Sequence, residues 1–184
     1  MMQIEPTSSL SQKAQAADIS LCRTLNALCK NPFIGLFFTV ISRLGNGAFW
    51  YAAGFSLLLI DGVKALPLLL VYTLTGLIGV VLYKSLKKTW IRERPFISHL
   101  QIFQVCATLD RYSFPSGHTL HAVSFTTIIS LSYPALAPAL WSFTALIALS
   151  RPVLGLHYPS DVLVGAGLGL ALGLLGHASL VALY

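Results

Sequence analysis

Long apolar stretches separated by short polar breaks dominate the chain. Apolar runs occupy Phe33–Ile41, Phe49–Ile60, Ala65–Leu82, His121–Leu131, Ala135–Leu149 and Val162–Leu183. A helix that crosses a bilayer takes about 20 residues, so the shorter runs must recruit flanking residues. The pattern predicts an all-α, polytopic bundle of six transmembrane helices, the first being the weakest and extending back, in one reading, into residues 21–31. Asn31-Pro32, Gly45-Asn46-Gly47 and Asp61-Gly62 are turn signals, and Pro134 and Pro138 bracket a tight connection. Residues 10–30 mix apolar and polar positions, with Leu21, Leu25 and Leu28 on one helical face, which suits an interfacial helix too polar to span. The expected organisation is an N-terminal polar segment over 1–30 and a membrane domain over 31–184.

Composition supports that division. The chain has 184 residues, of which 55% are hydrophobic and only 10% charged. Soluble domains carry roughly 25% charged residues, and the mean hydropathy is +0.75, so a soluble globular protein is excluded. Residues 1–18 lack the basic-then-apolar order of a signal peptide, and the first membrane helices are expected to insert uncleaved. The net charge is +6, gathered mostly in "YKSLKKTWIRERPF". In so apolar a chain this favours an anionic ligand or anionic headgroups over nucleic acid. Cys22 and Cys29 are seven residues apart and Cys106 has no evident partner, so all three are expected to be free thiols. Gly165, Gly169 and Gly173 form a small-residue stripe that lets helices approach closely. It predicts packing within the bundle, with a homodimer seam as the alternative.

Polar chemistry beyond the first 30 residues concentrates in three islands: Lys87-x6-Arg94-Pro95, Pro115-Ser116-Gly117-His118, and Ser150-Arg151-x5-His157-x3-Asp161. Two apolar helices separate the second island from the third, and a loop joins the first to the second. All three should therefore reach one membrane face. On a continuous helix Lys87 and Arg94 would share a face two turns apart, with Pro95 ending the helix. Ser116 can cap a helix starting at Gly117, whose free N–H groups attract an anion. Arg151 offers a planar fork suited to phosphate. His157 and Asp161 are four apart, so one helical turn would join imidazole to carboxylate and make the other ring nitrogen a better nucleophile. Together the islands suit an oxyanion such as phosphate.

The segments "KKTWIRERP", "PSGH" and "SRPVLGLHYPSD" resemble the three signature motifs of the type 2 phosphatidic acid phosphatase superfamily, K-x6-R-P, P-S-G-H and S-R-x5-H-x3-D. The match covers Lys87 to Asp161, and the six-helix pattern extends it over most of the chain. The resemblance implies a membrane lipid phosphatase in which His157 attacks phosphorus, Asp161 orients it and His118 protonates the departing oxygen. Lys87, Arg94, Arg151, Ser116, Gly117 and Ser150 would hold the phosphoryl oxygens, without cofactor or metal. The implied substrate is a phosphate monoester or diphosphate of a membrane lipid. Undecaprenyl diphosphate is favoured; phosphatidylglycerol phosphate, phosphatidic acid and lipid A phosphates are alternatives.

Other classes fit less well. A metal site would draw on His118, His121, Asp161 and His99, but the nearby cations would repel a divalent ion. An anion transporter would be expected to show an internal repeat, and vanadate-dependent peroxidases of similar chemistry are soluble and larger. Lys84 and Lys88 suit headgroup contact alone, and Trp90 and Phe96 suit the membrane interface. With the N-terminus inside, the outer face would hold Arg43, Lys84, Lys87, Lys88, Arg92, Arg94, Arg111 and Arg151. Charge counting alone predicts the reverse, yet at least three of those cations belong to the site. Bacterial family members resemble this chain in length, and their sites typically face the periplasm. The expected location is therefore the bacterial cytoplasmic (inner) membrane, with the site on the periplasmic or outer side. Monomer and homodimer both remain open.

Overall fold

The computed structural model describes residues 9–108 and 110–182, with side chains from residue 12 onward. The described residues form eight helices: α1 (Ser9–Asn26), α2 (Pro32–Leu44), α3 (Ala48–Asp61), α4 (Leu66–Thr89), the single turn α5 (Pro95–Ser98), α6 (Gly117–Ser132), α7 (Ala137–Val153) and α8 (Pro159–Val181). Each apolar run of the sequence has become a helix, and the predicted turns divide them. The Asn31 side chain caps α2 by accepting from the Phe33 N–H at 2.9 Å, so the chain bends by 112° there. Gly47 and Gly62 turn the chain at positive φ, 122° and 56°. Three stretches are long and apolar enough to cross a membrane: Ala48–Thr89, which contains α3 and α4, then Pro134–Val153 and Pro159–Val181. The bent pair of α1 and α2 would make a fourth. Within Ala48–Thr89 the chain folds back, since the Tyr72 hydroxyl on α4 donates to the Trp50 carbonyl on α3 at 3.1 Å.

Helix α6 is the axis of the bundle. Nearly all of Thr119–Ile129 is buried between α4, α7 and α8. Its 16 residues reach only about 24 Å at 1.5 Å per residue, but neighbouring helices cover it. Hydroxyls in its buried middle are paired internally: Thr126 bonds Thr144 of α7 at 2.6 Å, and Thr127 donates to the Val123 carbonyl at 2.8 Å. Such pairing is required where no water is available. Tyr72 and Phe125 stack at 4.2 Å, with Trp50 5.5 Å from Phe125. The glycine stripe of α8 lies against α6. A Cβ at Gly165 would meet the Ser116 carbonyl oxygen at 2.6 Å, and one at Gly173 would meet the Thr127 Cβ at 2.6 Å. Packing inside the bundle therefore accounts for the stripe.

Helix α1 turns outward much of the leucine face that an interfacial helix offers to lipid. Leu21 and Leu28 are exposed, whereas Cys22 and Asn26 are buried. The Asn26 side chain donates to the carbonyls of Phe103 and Val153 and accepts from the Phe103 N–H at 2.8 Å. The face that packs is the polar one. Cys22, Cys29 and Cys106 are free thiols.

Candidate active site

The three polar islands meet at one end of the bundle. Lys87 comes from the last turn of α4, His118 from the first turn of α6, Arg151 from the last turn of α7, and Arg94 and His157 from the adjoining loops. They line a cavity of about 350 Å³ together with Gly117 and Asp110. Its remaining wall runs down α3, α4 and α6 past Trp50, Tyr72, Leu77, Val80 and Phe125. A polar end thus continues into an apolar trough.

Two local expectations need correction. Lys87 and Arg94 do not share a helix: α4 ends at Thr89, and Arg94 is extended with φ −75° and ψ 151°. Proline disfavours the helical conformation in the residue before it, and Arg94 precedes Pro95. The two cations converge instead on Asp110, whose Oδ1 accepts from Lys87 Nζ at 2.8 Å and from Arg94 Nη2 at 2.7 Å. Likewise His157 and Asp161 do not lie within one helical turn. His157 stands before the start of α8, and Asp161 caps that start by accepting from the Tyr158 N–H at 2.8 Å. The entry turn still directs Asp161 Oδ2 toward His157 Nδ1 at 3.6 Å. The other ring nitrogen, Nε2, lies 3.4 Å from Arg94 Nη1.

The predicted cap forms. Ser116 Oγ accepts from the Thr119 N–H, and the Phe114–Pro115 peptide bond is cis. The Ser116 N–H donates to the Asp161 carbonyl at 3.0 Å, tying the second island to the third. Ser150 sits apart from the cavity wall and gives its hydroxyl proton to the Ile147 carbonyl at 2.6 Å. Arg151 is buried, with one Nη donating to Ser42 Oγ at 2.5 Å and Nε without a hydrogen-bond partner among the described residues. His121 packs with its ring nitrogens 2.9 Å and 3.1 Å from the Gly117 and Gly76 carbonyls. Burial holds His157 well below the ordinary histidine range, and the charges of Arg151, Arg94 and Lys87 add to the effect. Its imidazole is therefore neutral near pH 7. Among the described residues, no three histidine, cysteine or acidic side chains come together as a metal-ligand set.

Several residues escaped sequence reading. Arg92 donates to Asp161 Oδ1, to Ser160 Oγ and to Asp18 Oδ2, each at 2.7 Å. Its guanidinium stacks on the Tyr158 ring at 3.9 Å. Asp18 of α1 also accepts from the Ser160 N–H at 2.9 Å. Arg92 had been one more cation in a basic run, and only its position two before Arg94 tied it to a motif.

This arrangement is a familiar one. The family model of the PAP2 superfamily matches residues 64–183, and the chain belongs to that superfamily. It is 40% identical over 80 residues to a decaprenylphosphoryl-5-phosphoribose phosphatase of Mycolicibacterium smegmatis, covering 44% of this chain and 42% of that protein. It is 29% identical over 102 residues to an undecaprenyl-diphosphatase of Bacillus subtilis, covering 55% of this chain and 52% of that one. These matches span about half the length of either relative. The crystal structure of a transmembrane PAP2-type phosphatidylglycerolphosphate phosphatase from Bacillus subtilis shares the fold, with a TM-score of 0.73 at 24% identity over 94% of this chain and 87% of that one.

Proposed function

We propose that the protein is a lipid phosphatase of a bacterial membrane that removes a terminal phosphate through a phosphohistidine intermediate. One observation carries the reading: three cations, Lys87, Arg94 and Arg151, and the N-terminus of α6 share a cavity with His157, and that cavity continues into an apolar trough. A phosphate could occupy the polar end while its lipid tail stays among apolar side chains.

The chemistry follows from the atoms available. His157 Nε2 carries the free lone pair when Nδ1–H faces Asp161. It attacks phosphorus and forms a P–N bond as the P–O bond to the lipid breaks. His118, which takes up a proton once the phosphate dianion sits beside it, gives that proton to the departing oxygen, then takes one from the water that hydrolyses the phosphohistidine. Lys87, Arg94 and Arg151 stabilise the charge spread over the phosphoryl oxygens. Gly117, with no side chain, leaves the first N–H groups of α6 open to an anion. Ser116 acts by capping that helix, and Ser150 by rotating its hydroxyl toward the cavity. No metal is required, because cations stand where one would act. Of the proposed N-terminal segment over 1–30, α1 braces the membrane domain proposed over 31–184, through Asp18 and Asn26.

Among lipid phosphates we favour a polyprenyl substrate, undecaprenyl diphosphate first. Two relatives are named for polyprenyl lipids, and the trough suits a single long apolar chain better than a bulky headgroup. We place the site on the periplasmic face of the inner membrane. The test is phosphate release in detergent across a panel of polyprenyl diphosphate, phosphatidylglycerol phosphate, phosphatidic acid and lipid A, with His157→Ala beside the wild type. Release from at least one lipid, lost in His157→Ala while the variant still unfolds cooperatively, is the expected result. Turnover by that variant above a few per cent of wild type would remove His157 as the nucleophile.

A further inference from the structure

We infer that Asp110 is a resident counter-anion of the phosphate site, which substrate phosphate displaces from Lys87 and Arg94 and which helps expel product. The inference rests on the phosphatase reading. A single oxygen, Asp110 Oδ1, accepts from Lys87 Nζ at 2.8 Å and from Arg94 Nη2 at 2.7 Å. These are the donors that phosphoryl oxygens would need, so the carboxylate and the phosphate compete for the same protons. Lys87 and Arg94 are almost fully buried, while the Asp110 side chain is 37% exposed and faces the same cavity.

The backbone beside it is held independently of that carboxylate. Arg94 Nε donates to the Asp110 carbonyl at 3.0 Å, and Lys87 Nζ donates to the Tyr112 carbonyl at 2.6 Å. The carboxylate can therefore swing aside while the loop and both cations stay in place. Without it, three buried cations would grip inorganic phosphate, a dianion, and release would slow. With it, Lys87 and Arg94 exchange one anion for another, and neither is left without a counter-charge. Among the described residues Arg151 has no carboxylate partner, so it remains available to draw the incoming phosphate.

The test is Asp110→Asn, with Asp110→Ser as a second variant. Inhibition by inorganic phosphate and by vanadate is measured alongside kcat and KM. Protection of each protein against thermal unfolding by phosphate reports binding without turnover. Removing one negative charge beside a dianion site should tighten phosphate by about ten-fold or more, lower KM in parallel, and lower kcat where product release limits the rate. Unchanged or weaker phosphate binding in either variant would overturn the inference, since Asp110 would then only brace Lys87 and Arg94. If the wild type itself binds no phosphate, the site reading fails and this inference with it; if the wild type binds and the variants bind no tighter, only this inference fails.

Discussion

Two substitutions on one stripe of α8 impose the same steric insult at different depths. A Cβ at Gly165 would lie 2.6 Å from the Ser116 carbonyl oxygen, and one at Gly173 would lie 2.6 Å from the Thr127 Cβ and 2.8 Å from the Ser124 oxygen. Ordinary contact begins at 3.4 Å, so each alanine demands a local shift of about 0.8 Å. Overpacking of this size costs about 1–3 kcal/mol, or about 2–4 °C in Tm per kcal/mol for a chain of this length. Stability should therefore fall similarly in both variants. Activity should not. Gly165 presses on Ser116, which caps α6 beside Gly117 and His118, and a displacement near 1 Å at a reacting centre can cost about 100-fold in rate. Gly173 lies eight residues deeper, about 12 Å along the helix, against residues with no place in the site. Gly165→Ala is expected to lose one to two orders of magnitude in kcat, and Gly173→Ala less than about three-fold. Thermal unfolding in detergent and turnover of a soluble phosphate ester supply both numbers. Equal losses of activity in the two variants, or a fully active Gly165→Ala, would refute the idea that the α6–α8 contact positions the PSGH segment.

Three further outcomes are expected. The attacking form of His157 is neutral, and burial with the neighbouring cations lowers its pKa, so kcat/KM should hold as pH falls through about 6.5 and decline only below it. Arg151→Gln removes one of those cations and should move the acid limb upward; because the substrate titrates identically in both enzymes, an unmoved limb would reject the assignment to His157. Arg92→Gln leaves the buried Asp161 without its counter-charge. Breaking a buried pair costs about 3–5 kcal/mol, and the partial exposure of Arg92 places the expected loss at the low end. Because Arg92 does not line the cavity, the loss should fall on kcat with KM nearly constant, and a change in KM alone would contradict a positioning role. Activity should also survive excess chelator, and loss restored by one specific divalent ion would end the metal-free mechanism.

The site was legible where chemistry depends on spacing and obscure where it depends on a loop's path. The three islands could be placed on one face by counting helices, and the structure brings Lys87, Arg94, His118, Arg151 and His157 around one cavity. The Ser116 cap was readable because capping is local. Asp110 was not. It falls in a connection with no periodic pattern, and its meeting with Lys87 and Arg94 spans 23 and 16 residues. The continuous helix from Lys87 to Arg94 failed because α4 already stops at Thr89, and Pro95 holds Arg94 itself in an extended conformation.

Helix α1 shows a more general reason. Its apolar positions Leu21, Leu25 and Leu28 form a stripe that would pack inward in a soluble protein, where burial from water drives packing. Beside a bilayer the surroundings are themselves apolar, so leucine gains little by turning inward and polar groups gain a great deal. Leu21 and Leu28 accordingly face out, at 49% and 44% exposure. Asp18, Cys22 and Asn26, four apart on the neighbouring stripe, point toward the loops and α8. There Asp18 binds Arg92 and Ser160, Asn26 binds Phe103 and Val153, and Cys22 Sγ lies 3.6 Å from the His157 carbonyl. Helix α6 is buried on nearly every side, and its hydroxyl residues Thr119, Ser124, Thr126 and Thr127 lie inside with its apolar ones. In this chain the stripe of small and polar residues marks the packed face, and for α1 that stripe leads through Asp18 and Arg92 to Asp161.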